Sequence, residues 1–206
     1  ALRHSVLTAD AKGLGTASLT LGQSWYGAKH QHDFARVDLS YEQGLSSRTG
    51  IFGAASGEKR TSTRGAAFDA TLFTVKAGMA HTLSNGDELA FTLAVSKNET
   101  PQANGRYNRQ VGYVSYSFEK PLGPAKVALV LGSSQLTYNT YNVGIIAVPG
   151  GRRDKSTFAI ANFTFETVGY AGFSPQISLR MAKTQSNVSR FDTDEFSVSI
   201  GVASNF

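Results

Sequence analysis

Cysteine is absent from the chain. Its absence removes disulfides, thiolate metal sites and cysteine nucleophiles. Long apolar runs are absent as well. A membrane-spanning helix needs roughly 18 or more apolar residues in succession, so none is encoded. That leaves room for a transmembrane barrel, whose strands alternate in character and never form such a run. Glycine-rich phosphate-binding motifs are missing. No leader with a basic start, an apolar middle and a small-residue cleavage site is visible, so a leader already removed or a chain cut from a longer one is expected.

Charge is sparse and only slightly one-sided. Lys and Arg number 20 against 15 Asp and Glu, a net of +5. The basic residues are scattered, with small groups such as Lys59-Arg60 and Arg152-Arg153 in apparent loops. They do not combine with aromatics on one face, which argues against a nucleic-acid partner. Such loops face anionic lipopolysaccharide or nothing at all.

Glycine is abundant at 21 residues and aromatics make up 11 %, which suits turns and interfacial girdles. Above all there is alternation. In the last stretch, Glu195 to Phe206, the residues Phe196, Val198, Ile200 and Val202 fall on every second position and Phe206 ends the chain. Ser204 interrupts the row. A period of two is a β-strand with one apolar and one polar face. Closing such a strand on a C-terminal Phe resembles the signal by which the barrel assembly machinery recognises outer-membrane barrels. Phe196, Val198, Ile200, Val202 and Phe206 are therefore the expected assembly signal.

The same pattern recurs upstream. Residues 1–13 have no clear period and read as a linker or plug, leaving 14–206 as the barrel. Leu14 to Tyr26 is a first strand ending on Trp25-Tyr26, followed by a polar loop, Gly27 to Asp33. The second strand sets Ala35, Val37, Leu39 and Tyr41 against Arg36, Asp38, Ser40 and Glu42. A third runs from about Thr49 to Ser56. In Ala66 to Leu83, Phe68 and Leu72 are out of phase with Phe73, Val75, Ala77 and Met79, which predicts a bulge near Leu72–Phe73. Asn85-Gly86 predicts a tight hairpin turn. Five further strands precede or follow the loop 138–155, and the terminal strand completes the set.

The total is about ten strands, an even number that closes antiparallel and removes exposed edges. Short connections follow the even strands and longer ones the odd strands, as in outer-membrane barrels with both termini periplasmic. The fold class expected is an all-β, antiparallel, up-and-down transmembrane barrel. Its inward positions are Arg36, Asp38, Glu42, Lys76, Glu88, Arg109, Glu166, Arg180 and Glu195. Either these pair and fill a narrow lumen or they line a path for a small polar solute. Mixed signs argue against strong ion selectivity.

Two features stand outside that frame. His30-x-His32-Asp33 admits a metal site or an acid/base pair at the barrel mouth, though no further ligand set accompanies it. Of the remaining histidines, His4 and His81, neither lies in a ligand spacing. The segment Val143-Gly-Ile-Ile-Ala-Val148 is apolar inside the longest loop, which fits either extended strands or a contact surface for a partner.

The end of the chain carries a family resemblance. Phe173 and Pro175 start a strand, Ser186, Asn187 and Val188 form a loop, Phe191-Asp192 follow, and Phe206 closes. This hairpin resembles the final hairpin of surface lipoprotein assembly modifier (Slam-like) barrels. The resemblance implies an outer-membrane protein of a Gram-negative bacterium that helps lipoproteins or secreted clients reach the cell surface, with no cofactor and no enzymatic step. The family's barrels have about fourteen strands and follow a helical repeat domain, against about ten strands here. The chain is then the C-terminal part of such a protein or a smaller relative. Expected partners are outer-membrane lipid and lipopolysaccharide, the assembly machinery, and a client protein. The alternatives are a porin-like channel for small solutes and, last, a surface enzyme.

Overall fold

The computed structural model describes residues 1–8, 12–168 and 172–204. The described chain is all-β, with no α-helix. Eleven strands form one antiparallel meander in the order β1 (Leu2–Leu7), β2 (Gly13–Tyr26), β3 (Lys29–Gly44), β4 (Thr49–Ser62), β5 (Ala70–Thr82), β6 (Glu88–Glu99), β7 (Tyr107–Ser117), β8 (Lys126–Tyr138), β11 (Arg152–Thr164), β12 (Phe173–Ser186) and β13 (Thr193–Ser204). The short strands β9 (Asn142–Val143) and β10 (Ile146–Ala147) pair only with each other inside the loop 139–151. β1 and β13 are the two edges, with no pairing between them among the described residues. Ten reversals separate these edges, so β1 and β13 run in the same direction.

Several expectations need correction. Leu2–Leu7, in the stretch read as a linker or plug, pairs with Leu14–Leu19 of β2, which makes the large sheet one strand wider than ten. Its side chains lack a period because it is a short edge strand, exposed on both faces. The polar stretch 27–33 is no loop. Gly27 (φ 54°) and Ala28 (φ 63°) form a two-residue turn, with both central residues left-handed as such hairpins require, and β3 starts at Lys29. β4 likewise continues through the basic stretch to Ser62. Polar residues here mark the ends of long strands that project beyond the apolar zone, and the contrast between short and long connections narrows accordingly.

The bulge near Leu72–Phe73 is absent: β5 pairs without a shift on both sides. Phe68 was out of phase because Ala66–Phe68 is a 3₁₀ turn before the strand. Only Gly86 of the Asn85-Gly86 pair has positive φ, 92°, so residues 83–87 form a wider loop than a two-residue hairpin.

The register places Leu19, Val37, Val75, Phe91, Leu131, Met181 and Val198 on one face, with charged residues such as Asp33, Lys59 and Lys183 only toward its loop end, and Arg36, Asp38, Lys76 and Arg180 among small residues on the other. The usual relation of polarity to burial is inverted. On β6, Thr92 is 3 % exposed, whereas its apolar neighbours Phe91 and Leu93 are 45 % and 53 % exposed. Among the described residues no second layer covers the apolar face, and the buried apolar side chains are few, Ala125, Val127 and Tyr141 among them. A single sheet presenting an apolar surface across ten strands marks that surface as a contact face.

The shielded face is packed by aromatic rings over glycines. Phe34 lies opposite Gly22, Phe52 opposite Gly78, and Phe158 opposite Gly132. A Cβ built on Gly22, Gly78 or Gly132 would sit 2.5, 2.4 or 2.5 Å from the ring atom it faces. Each ring covers backbone that the missing side chain exposes.

Candidate functional site: the polar face and its loop end

Eight of the nine expected inward residues share the polar face: Arg36, Asp38, Glu42, Lys76, Glu88, Arg109, Arg180 and Glu195. Glu166 does not. It lies in a 3₁₀ turn, Glu166–Val168, and contacts Lys126 at 3.3 Å near the sheet end. The strand stops at Thr164, and so the alternation cannot be carried to Glu166.

These residues are brought together in neighbouring pairs. Arg36 donates to Asp38 through Nε (2.9 Å to each oxygen) and Nη2 (2.7 Å) and reaches Glu58 on β4 at 3.7 Å. Arg60 also pairs with Glu58. Together with Thr20, Ser24 and His32 this cluster lines a hollow of about 540 Å³. Arg180 approaches Glu195 at 3.7 Å and stacks on Phe158 at 5.2 Å. Among the described residues every ion pair is within a strand or turn or between adjacent ones, and none ties distant parts of the polar face together. Lys76, Glu42, Glu88 and Arg109 make no ion pair among them.

The histidine stretch does not form a site. Asp33 lies on the apolar face, where it accepts from Gln23 Nε2 at 3.0 Å. His32 is on the polar face beside Phe34. His30 stacks on Trp25 at 5.0 Å, at the register shift between Ser24 and Trp25. Its Nε2 is 3.1 Å from Asp33 Oδ1 but lacks hydrogen-bond alignment. No group of three metal-ligating side chains occurs among the described residues.

The densest cluster is one that sequence reasoning missed. At the loop end of the polar face Arg152 donates to Asp154 through Nε (2.9 Å) and Nη2 (2.7 Å), and to the Tyr141 hydroxyl through Nη1 (3.2 Å). Its guanidinium lies 3.3 Å from the centroid of the Phe191 ring and 5.2 Å from those of Tyr138 and Tyr141. Asp154 is 4 % exposed and Tyr141 8 %. Arg152 and Arg153, a basic pair in an apparent loop by sequence, begin β11, and alternation sends them to opposite faces. Phe191 comes from a distant connection, which no local spacing could reveal. Asn187 accepts from Arg153 N (2.7 Å) and donates to Gly151 O (2.9 Å). Asn104 exchanges two hydrogen bonds with the backbone of Asn142, at 2.9 and 2.7 Å. The base of the longest connection is thus clamped on both sides, and its tip stands free: Ile145 is fully exposed and Ile146 69 % exposed.

At the opposite end, the Asp87 carboxylate accepts from the Tyr116 hydroxyl, Glu119 N (2.9 Å) and Asn85 Nδ2 (2.6 Å), linking two turns. The Tyr116 hydrogen bond first, then the Glu119 amide, holds its pKa below the ordinary carboxylate value. A depressed folded-state pKa contributes stability above the unfolded-state value near 3.9, lost as pH falls through the folded one. Asp87→Asn should therefore destabilise at pH 7, with the gap to the parent closing on acidification below about pH 4 in urea titrations. A gap independent of pH would remove the charge from the explanation.

The terminal hairpin that carried the family resemblance is β12–β13, paired from Phe173↔Ser204 to Thr184↔Thr193. Phe196, Val198, Ile200 and Val202 lie on its apolar face; Phe206 lies outside the described residues. Searches of curated proteins and of solved structures return no significant match. A family profile does match, from Ser18 inside β2 through the terminal hairpin, covering the meander that builds both faces. That match, to residues 18–206, places the chain in the surface lipoprotein assembly modifier family.

Proposed function

We propose that this chain forms the wall of an outer-membrane β-barrel that assists the translocation or surface display of lipoproteins or secreted client proteins. One observation carries the membrane part: the uncovered apolar face that spans the sheet. Each of its large side chains gains about 1.5–3 kcal/mol on leaving water, which lipid supplies and a soluble fold would have to supply with a second layer. In an antiparallel wall β13 meets a strand of opposite direction. β1 runs the same way as β13, so a ten-strand closure uses β2, whose edge beyond Leu19 is bare of β1. The other arrangement is membership of a larger barrel of about fourteen strands. The shielded face then lines the lumen, and no covalent chemistry is assigned to it.

The family membership supports the client role, and the free tip at Ile145 and Ile146 gives it a place to act. The test is surface display in cells that express the intact protein beside a surface lipoprotein, read by the fraction open to external protease. Ile145→Ser with Ile146→Ser should cut that fraction several-fold with the protein still inserted. Unchanged display would remove the tip from the mechanism; unchanged display on deleting the whole protein would remove the client role. A path for small solutes is the second reading, favoured by the lack, among the described residues, of ion pairs tying distant parts of the polar face together. Steady conductance in a planar bilayer, altered by Arg36→Ala, would carry it.

A further inference from the structure

The apolar face changes character within a single register step on β7 to β12. Val114, Leu131, Ala159 and Met181 are register neighbours on that face. The next row toward the loop end reads Leu93, Gly112, Ser133, Thr157 and Lys183. The row beyond it adds Val95, Gln110, Gln135 and Lys155. Gly112 and Ser133 have little or no side chain, so the two rows sink into a groove of about 870 Å³. Its wall on β6 is apolar, Leu93 and Val95; its floor offers amides and hydroxyls; its far rim holds Lys155 and Lys183. Among the described residues Lys155 makes no ion pair, and Lys183 has only a contact of 3.8 Å to the exposed Asp194.

We propose that this groove binds the phosphorylated headgroup of an anionic lipid, with Lys155 and Lys183 on the phosphate and an acyl chain against Leu93. This rests on the reading of the apolar face as membrane-embedded. Charge complementarity selects the occupant. Two ammonium groups, one without an ion pair among the described residues and one with only the 3.8 Å contact to the exposed Asp194, stand where the apolar belt ends, the depth at which a bilayer carries its phosphates. The amides of Gln110 and Gln135 and the hydroxyls of Ser133 and Thr157 match the sugar or glycerol oxygens beneath such a phosphate. A protein partner would need a broad flat contact, whereas this is a recess with one apolar wall and one basic rim.

The test uses the full chain refolded into detergent micelles and titrated with lipid A, a diphosphorylated glycolipid, with bound lipid counted by native mass spectrometry. One lipid should remain bound per protein. Each basic residue near an anionic surface is worth about fivefold in affinity, so Lys155→Gln with Lys183→Gln should raise the half-saturation concentration roughly thirtyfold. Lys59→Gln with Lys97→Gln removes the same charge from the same face outside the groove and should change it less than about threefold. Equal weakening by both pairs would reduce the site to diffuse charge and overturn it. Displacement of the lipid by millimolar inorganic phosphate would make it a free-phosphate site and overturn it too. A chain that inserts into phosphatidylcholine vesicles yet retains no lipid A loses this proposal alone; one that fails to insert loses the membrane reading with it.

Discussion

Asp154→Ala is expected to lower the unfolding free energy of the refolded protein by about 3–5 kcal/mol, the cost of stripping a buried ion pair of one partner. Asp154 is 4 % exposed, and the Arg152 side chain is 14 % exposed. Removing the carboxylate leaves a guanidinium held between Tyr138, Tyr141 and Phe191 with no anion to balance it. The ring contacts are already present in the parent, so they do not offset the loss. Urea titration in detergent micelles, followed by the fluorescence of the single tryptophan, Trp25, reads the effect. Replacing both partners, Arg152→Met with Asp154→Leu, should recover most of it, because the penalty belongs to the unpaired charge. Loss of the pair should also open the connection 139–151 to protease, since its base is held by Arg152 and Asn187. A single mutant within about 0.5 kcal/mol of the parent would show the cluster to be solvated in solution.

Gly132→Ala should cost about 2–3 kcal/mol, at the upper end of overpacking effects. Its new Cβ would lie 2.5 Å from Phe158 Cζ, 2.7 Å from Gly112 O and 2.7 Å from Tyr113 Cβ. The ring could swing aside; the carbonyl on β7 could not move without breaking the ladder. Gly78→Ala meets the same obstacle, 2.4 Å from both Phe52 Cζ and Phe91 O. Gly201→Ala on the edge strand β13, where nothing lies within 4 Å, should stay within about 0.5 kcal/mol and serves as the reference. The same urea titration applies. Equal effects at Gly132 and Gly201 would mean that the glycines matter for chain flexibility and not for the rings above them.

The alternation of side chains was enough to find most of the sheet. A period of two needs no knowledge of neighbours, so the faces of β2, β3, β5, β6, β8 and β13 were legible, and eight of the nine charged residues share one face of the sheet. The errors came where the pattern met an end. His30 and His32 looked like loop residues because they are polar, yet they lie in β3, which runs past the apolar zone. Glu166 looked like a strand residue because Phe163 and Phe165 alternate, but β11 ends at Thr164. Leu2–Leu7 was missed because pairing with β2, not any periodicity of its own, makes it a strand.

By itself the sequence determined the all-β class, the absence of a spanning helix, the apolar and polar faces, and the hairpin that carries the family likeness. The first three follow from composition or from a two-residue repeat and the last from a resemblance of motif residues such as Phe173, Pro175, Asn187 and Asp192; all of these are local. Tertiary structure decided which glycine lies beneath which ring, that Arg152 joins Tyr141 and Phe191, and that Gly112 and Ser133 leave a groove beside two lysines. These depend on register and on loops meeting across the sheet. Register is a sum over many cross-strand pairs of small energy, about 0.2–1 kcal/mol each, so no single residue announces it.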